Sequence, residues 1–336
     1  MRVWFNHWFS TAYHLINLIK TGDPGKFVFV GSSTNREAIY KCVCDEWFYE
    51  ADGLTAEEYV DFCVSFCVEH KIDVFVPRRF LVAIVKNADR FREVGVSLFA
   101  DSCSDIIEML DDKIRTYDYF RMLDSEYVPK VRIARSFEEF TTAYEELQGE
   151  VSRVCYKLII DEGARSFRVI DDRIERTSAL LEKPGAKITW AAAQKVLGQY
   201  DFSIPLLLMP YLSGVEISAD CLATPSGNLI IPRYKINKRY SEVIFNADVM
   251  AECSRMMEKL GLKMPLNIQF KKDSDKLFLL EINPRMSGGL QLSCKATGLN
   301  VPSIAINQLL GIERSWEYPN ITAQKVAHIE TPICLY

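Results

Sequence analysis

The sequence predicts an α/β protein that begins as a small doubly wound parallel sheet. Short apolar runs alternate with helical periodicity from residue 1 to about 103, the order of strand and crossover helix that a parallel sheet requires. A second unit starts around Asp111-Asp112-Lys113. Beyond it, apolar runs flank turns such as Pro225-Ser226-Gly227-Asn228, the pattern of strands joined by tight turns.

A chain of 336 residues can bury a sizeable core and divides into two or three domains. Its apolar (49%) and charged (25%) fractions are those of an ordinary globular protein, and a net charge of −5 gives no reason to expect nucleic acid. The ten cysteines include Cys42, Cys44, Cys63 and Cys67 but no CxxC pair with zinc-ribbon spacing. Cys63 and Cys67, four apart beside Phe62, Val64 and Phe66, read as reduced core residues on a helix. No apolar run reaches the roughly 18 residues of a membrane span. Asn6, His7 and His14 break up the apolar start, and no small-residue cleavage site follows. The expectation is a cytoplasmic protein with no membrane contact.

Val3-Trp4-Phe5 reads as the first strand, Thr11 to Lys20 as a helix burying Leu15, Ile16, Leu18 and Ile19, and Phe27 to Val30 as a second strand closed by Gly31. Glu57 to His70, Val74 to Pro77, Leu81 to Phe91 and Val96 to Phe99 continue the alternation. The first strand-to-helix turn, Asn6-His7-Trp8-Phe9-Ser10, has no glycine. A dinucleotide fingerprint needs glycines there so that backbone can approach a pyrophosphate, which argues against an NAD site. His7, Arg78 and Arg79 follow strand ends, where open α/β sheets bind ligands, but solvated or structural roles are the simpler reading.

In the second unit, Asp112-Lys113 opens a helix through Phe120, and Ser136 followed by Glu139 is a capping box that predicts a helix from Phe137 to Leu147. Cys155 to Ile160 is a strand with one lysine, Lys157, among apolar residues, a charge that an anion would neutralise. Asp161 to Phe167 is a turn with one glycine, and Asp171 to Gln199 reads as a surface helix of a lid. Pro205 to Leu212, Ile217 to Leu222 and Leu229 to Lys235 are strands, with Arg233 and Lys235 on one face. Helices follow from Val249 to Leu260 and Val301 to Leu310, closed by Gly261 and Gly311.

Leu266 to Phe270, the turn Lys271 to Lys276 and Leu277 to Leu280 form a hairpin, the last run apolar on both faces as in a strand inside a sheet. Polar residues then arrive together as Glu281-Ile282-Asn283-Pro284-Arg285. Alternation puts Glu281 and Asn283 on one face, where a carboxylate and an amide oxygen can share a hard cation, with Gln269 beside Glu281. Pro284 ends the strand, and Arg285 can hold a phosphoryl or carboxylate group bidentately.

The runs NIQF, LLEINPRMSGG and SCKATGL resemble the ATP-binding core of the ATP-grasp superfamily, and in wording the synthetase domains of the carbamoyl phosphate synthetase large chain. The resemblance implies a pre-ATP-grasp domain over 1–103 and a two-lobed ATP-grasp domain over 104–336, with a lid at about 123–212. It implies ATP with Mg2+ or Mn2+ as cofactors, the metal held by Gln269, Glu281 and Asn283. By the same carry-over Arg285 contacts the transferred phosphoryl group, while Lys113, Lys157 and the turn through Ser166 meet the nucleotide phosphates. Arg233 and Lys235 would add charge near the γ-phosphate or an acceptor carboxylate. The backbone of Met209, Tyr211 and Leu212 would hold adenine, and Glu216 the ribose. The chain departs from the family at Leu158, where proline is usual, at the single Gly163 of the phosphate loop, and at Pro210, where many members have Glu. The implied activity is ligation of a small-molecule carboxylate, through an acyl phosphate, to an amine or another nucleophile; a homo-oligomer is left open. The alternatives are a nucleotide-binding regulatory or partner-binding module with little turnover, and a carbamate- or bicarbonate-phosphorylating enzyme.

Overall fold

The structure is a computed structural model, and it describes the chain except for residues 124–125, 161–164, 174–184, 238, 274–275, 331 and 335–336. It forms two compact units. The first comprises Met1–Glu108, Glu216–Gln269 and Ile282–Tyr336, and the second Met109–Val215 with Phe270–Glu281.

The N-terminal sheet contains β1 (Arg2–Asn6), β2 (Val28–Ser33), β3 (Glu46–Tyr49), β4 (Val74–Val76) and β5 (Ser97–Leu98) in the order β3-β2-β1-β4-β5. All neighbours are parallel, as the alternating pattern predicts. Both faces are covered, so β1 can be wholly apolar: Val3, Trp4 and Phe5 are fully buried. On one face Trp4 stacks on Phe66 and Phe75 at 4.3 and 4.1 Å between ring centres. Cys63 and Cys67 lie in the same core as free thiols, and burial pushes both well up from the ordinary thiol range. On the other face, the helix Ala12–Gly22 buries Leu15, Ile16 and Ile19.

Gly31 does not close β2. It pairs with Phe5 on one side and Trp47 on the other, and the strand runs on to Ser33. A Cβ at Gly31 would lie 2.5 Å from the Cys44 Sγ and 2.7 Å from the Trp47 ring, so this glycine serves close packing under β3, a strand the sequence pattern misses.

The second unit has a five-stranded sheet of β6 (Arg132–Ala134), β7 (Val154–Leu158), β8 (Arg168–Ile170), β9 (Lys187–Ile188) and β10 (Leu206–Pro210), ordered β6-β10-β7-β8-β9. The helices Phe137–Gln148 and Trp190–Leu197 share its core, where Trp190 stacks on Tyr144 at 3.9 Å. The Ser136 hydroxyl accepts the Glu139 N–H at 3.1 Å, as a capping box requires, whereas the Glu139 carboxylate accepts from the Arg135 N–H, one residue earlier.

The remaining sheet is ordered β15-β14-β11-β12-β13-β16, from β11 (Glu216–Thr224), β12 (Gly227–Lys235), β13 (Tyr240–Ile244), β14 (Leu266–Asp273), β15 (Lys276–Asn283) and β16 (Ala323–Ala327). Leu222, Leu229, Ile231 and Val243 join the N-terminal helix Ala12–Gly22 and the helices Leu290–Thr297 and Val301–Leu309 in one apolar core of the first unit. Beside it the buried Asp23 accepts from Ser303 (2.6 Å) and Asn307 (2.8 Å) and pairs with Arg314. Burial alone would raise the Asp23 carboxyl, but these partners hold it below the ordinary carboxylate range.

β15 departs from expectation. It lies at the sheet edge, and of Leu277 to Leu280 only Leu279 is fully buried. Other parts of the second unit take its outward backbone groups: the Leu279 N–H donates to Tyr127 O at 2.7 Å, and the Tyr117 hydroxyl donates to Leu280 O at 2.8 Å. Among the described residues no helix is long and apolar enough to cross a membrane.

Gly31→Ala should lower stability by about 1–3 kcal/mol, the usual range for overpacking, because neither Cys44 nor Trp47 can give way without moving β3. Urea unfolding midpoints of the two proteins measure it.

Candidate active site

In the first unit, β15 ends with Ile282 inside the core and Asn283 half-buried, and Pro284 stops the strand. The chain doubles back at once: the Arg285 N–H donates to Asn283 O at 2.8 Å, and Arg285 Nη2 reaches Asn283 Oδ1 at 3.4 Å. Arg285 also lines a shallow depression, with room for about one water, together with Trp8, Pro77, Leu81, Phe99 and Met264. Gln269 of β14 is half-buried, and its Nε2 donates to Asn267 Oδ1 at 3.0 Å, which leaves its carbonyl oxygen as the acceptor a cation needs.

Beneath these residues lies a polar network that sequence reasoning missed. Asp220, 2% exposed, accepts from the hydroxyls of Ser287 and Ser293, each at 2.6 Å, and from Asn267 Nδ2 at 2.9 Å. Arg233 lies in the same interior at 4% exposure, 3.3 Å from the Ser218 hydroxyl and 3.4 Å from that of Ser293. A Cβ at Gly289 would fall 2.1 Å from Arg233 Nη2, so this glycine makes room for the guanidinium. The signal in the sequence was polar residues on strands otherwise apolar, Ser218 and Asp220 on one face of β11 and Arg233 on β12, but nothing local joins them. Lys235 lies opposite Glu216 across β11 and β12, and the two form an ion pair.

In the second unit, Asp112 caps the helix Lys113–Met122, and its first residue, Lys113, points inward at 9% exposure. The Lys113 Nζ is 3.9 Å from Glu281, whose side chain keeps a third of its surface open. Burial first, and the Glu281 carboxylate after it, push the Tyr117 phenol up, so its hydroxyl remains a donor.

Lys157 sits on β7 opposite Leu207 and is half-buried, less enclosed than its apolar neighbours predict. It and Lys271 both act on the buried Cys155 thiol, whose burial nevertheless pushes it up to about 12. Lys271 is a cation that sequence reasoning placed in a turn; it belongs to β14. The N–H of Leu158, which the usual proline would lack, donates to the Ser166 hydroxyl at 2.9 Å and closes the loop between β7 and β8. Residues 161–164, including Gly163, lie outside the described residues.

β10 pairs with β6 only as far as Leu208, while its ladder with β7 continues to Pro210 and the Tyr211 N–H reaches Arg153 O at 2.9 Å. Past Leu208, then, one edge of Met209 and Pro210 carries no partner from β6, the feature a hinge needs to hydrogen-bond a base. Met209 and Leu212 are buried, and the Arg153 guanidinium lies 4.4 Å above the Tyr211 ring.

Among the described residues no group of three or more His, Cys, Asp or Glu could hold a metal ion. Gln269 and Asn283 in the first unit each carry an amide oxygen and Glu281 in the second a carboxylate, donor types that suit a hard cation.

Residues 202–332 match the family described as ATP-grasp in the biosynthetic pathway with Ter operon. The chain is 24% identical over 321 residues to the arginine-specific carbamoyl phosphate synthase large chain of Geobacillus stearothermophilus, across 90% of this chain and 28% of that one. It is similar in fold to the biotin carboxylase domain of Hydrogenobacter thermophilus 2-oxoglutarate carboxylase, solved with MgADP, ADP and bicarbonate, with a TM-score of 0.63 at 17% identity over 94% of this chain and 70% of that one. An L-amino acid ligase from Bacillus licheniformis gives 0.65 at 12% identity over 92% and 74%. Residues 202–332 thus match an ATP-grasp family model, and the chain is similar to carbamoyl phosphate synthase large chains, of which it spans little more than a quarter.

Asp220→Ala should destabilise the protein by several kcal/mol, since two hydroxyls and an amide each lose a buried acceptor at about 1–3 kcal/mol apiece. Asn267→Ala, which takes donor and acceptor groups away together, should cost less. Denaturant unfolding of both variants checks the order.

Proposed function

We propose that this chain, built on an ATP-grasp domain, is an ATP- and Mg2+-dependent ligase joining a small-molecule carboxylate to an amine or another nucleophile. One observation carries the reading: Glu281 and Asn283 stand on alternate positions of β15 with Lys113 3.9 Å from the glutamate, and Arg285 turns from the strand end into a shallow depression. Oxygen donors for a cation and a planar cation for an oxyanion thus follow one another within five residues. Phosphoryl transfer depends on this kind of positioning and charge neutralisation, with no dedicated nucleophile on the protein.

In the proposed reaction a carboxylate oxygen of the acceptor attacks the γ-phosphorus, the bond from that phosphorus to the β–γ bridging oxygen breaks, and ADP leaves. The amine then attacks the acyl carbon, phosphate departs with the C–O bonding pair, and the amine proton passes to solvent. Gln269, Glu281 and Asn283 would hold Mg2+, which neutralises phosphate oxygens when bound. Lys113, Lys157 and the Ser166 turn are assigned to the phosphates, Met209 to Leu212 to adenine and Glu216 to ribose. Two proteins of similar fold support the cofactors and the substrate class: one was solved with MgADP and bicarbonate, and the other is an L-amino acid ligase.

A second reading, a nucleotide-binding module with little turnover, is favoured by a different observation. Arg233 is enclosed by serine hydroxyls and Lys235 is paired with Glu216, so two cations expected at the reacting groups already have protein partners.

ADP release in the presence of MgATP and a panel of amino acids, other carboxylic acids and bicarbonate separates the two readings; saturable ATP binding with no ADP release across the panel favours the second. Under the ligase reading, Glu281→Gln should abolish phosphate release with the fold retained, because it removes charge at constant volume. Arg285→Lys keeps the charge but loses the fork, and should lower turnover roughly a hundredfold while changing ATP affinity by less than about tenfold. Steady-state kinetics with calorimetry on the same variants read both quantities.

A further inference from the structure

The edge of a β-sheet is a template for pairing with another chain, and folded proteins blunt it with very short strands, lysine or proline. Two edges of the first unit are blunted in this way. β5 has two residues, and β16 carries Lys325, to whose carbonyl oxygen Gln324 Nε2 turns back at 3.1 Å. β3 ends the N-terminal sheet on the other side with Glu46-Trp47-Phe48-Tyr49, which contains neither lysine nor proline.

The ladder with β2 fixes which groups of β3 point outward. Its register sets Trp47 beside Gly31 and Tyr49 beside Ser33, and it is prolonged by the Glu50 N–H, which donates to Ser33 O at 3.1 Å. Alternate residues of a parallel strand bond to the same neighbour, so Glu46, Phe48 and Glu50 face β2, while Trp47 and Tyr49 turn their N–H and C=O groups to the open edge. Among the described residues no hydrogen bond to another segment uses those groups.

The side chains make the same edge aromatic. Trp47 and Tyr49 stand edge to face at 6.4 Å, and Trp47 packs on the core shared with the helix Ala12–Gly22. Phe48 points to the other side of the sheet and meets Phe66 at 5.3 Å. Tyr49 is 52% exposed.

Charge is divided along the strand. Lys41 Nζ donates to the Tyr49 hydroxyl at 3.3 Å and the Arg36 guanidinium lies over its ring at 5.5 Å, so the last residue of β3 gathers two cations. At the opposite end Asp45, which precedes β3, pairs with Lys20 yet keeps 41% of its side chain open.

One arrangement uses all of these features: antiparallel pairing with a second copy about a two-fold axis at Phe48. Trp47 of each copy would stand opposite Tyr49 of the other and exchange both main-chain hydrogen bonds with it, and the two rings would form a cross-strand aromatic pair. Lys41 and Arg36 would approach Asp45 of the facing copy. The strand is thus complementary to itself, as a two-fold contact requires.

We propose that β3 is an interface through which two copies of this chain join their N-terminal sheets into one. The proposal holds whether or not the chain turns over ATP, since β3 contains none of the residues assigned to the reaction. A contact between two four-residue strands is smaller than the roughly 1,600 Å² of a standard interface, so the dimer should be weak, with a micromolar dissociation constant.

Sedimentation equilibrium of the full chain under reducing conditions, from about 1 to about 200 µM, tests it. The wild type should pass from monomer to dimer across that range. Tyr49→Lys changes an exposed side chain and sets like charge beside Lys41 and Arg36, and it should weaken the dimer at least about tenfold. Tyr49→Pro, which removes an N–H that the ladder with β2 does not use, should do the same. Lys325→Pro, on the edge formed by β16, should leave the dimer unchanged. Circular dichroism checks that each variant is folded, and if one Tyr49 variant is not, the other decides. A dimer that survives in a folded Tyr49 variant, or that is lost only in Lys325→Pro, overturns the proposal. So does a wild type that stays monomeric at the highest concentration, which would leave the edge to a strand of another protein.

Discussion

A carboxylate buried among strands must find donors, and Asp220 finds them in three separate pieces of chain. Asn267 of β14, Ser287 after β15 and Ser293 of the helix Leu290–Thr297 all converge on it. Asn267 in turn orients Gln269, and Ser287 stands two residues beyond Arg285. The candidate metal ligand on β14 and the candidate phosphoryl contact after β15 are therefore positioned from behind by one charge. A misplacement of that carboxylate would reach Gln269 through two hydrogen bonds and Arg285 through one hydrogen bond and two residues of chain, which is how a buried network can specify groups it never touches.

The N-terminal sheet repeats the arrangement with different residues. The Glu50 side chain is fully buried, accepting from Ser32 and Tyr59, and Asn6 fixes the backbone of Arg78. In both places an apolar core carries one acid whose hydrogen bonds aim cationic or amide side chains outward. The cost of burying each acid is offset only when every donor is in place, so each network also specifies how its segments pack. The helix Ala12–Gly22 joins the two regions of the first unit through a shared apolar core, and Asp23 just past its end binds Ser303 and Asn307.

The pairing of Lys235 with Glu216 changes the electrostatics expected of β12. Arg233 and Lys235 alternate along one face of β12, and the structure encloses the first among serines and pairs the second with Glu216. Lys113, pointing at Glu281, and Lys271, close to Cys155 along with Lys157, supply positive charge in the second unit. Of these Lys113 is the most enclosed, and a desolvated cation gains more from an anion that reaches it than a solvated one does.

Short-range chemistry sets what can be read from the residues alone. The alternation over the first hundred residues specified a parallel sheet, Ser136 and Glu139 marked a helix start, and Leu277 to Arg285 showed where an apolar strand yields to oxygen donors, because each signal lies within a few residues of the element it directs. Which residues those elements meet is settled by folding. It placed β3 against Gly31, made β15 an edge strand sealed by Tyr117 and Tyr127, took Arg233 into the interior, and gathered Asn6, Glu50, Tyr59 and Arg79 from four separate segments. Partners contributed from distant parts of the chain leave no period or spacing to read, since their coupling exists only once the intervening chain has folded and water is excluded between them.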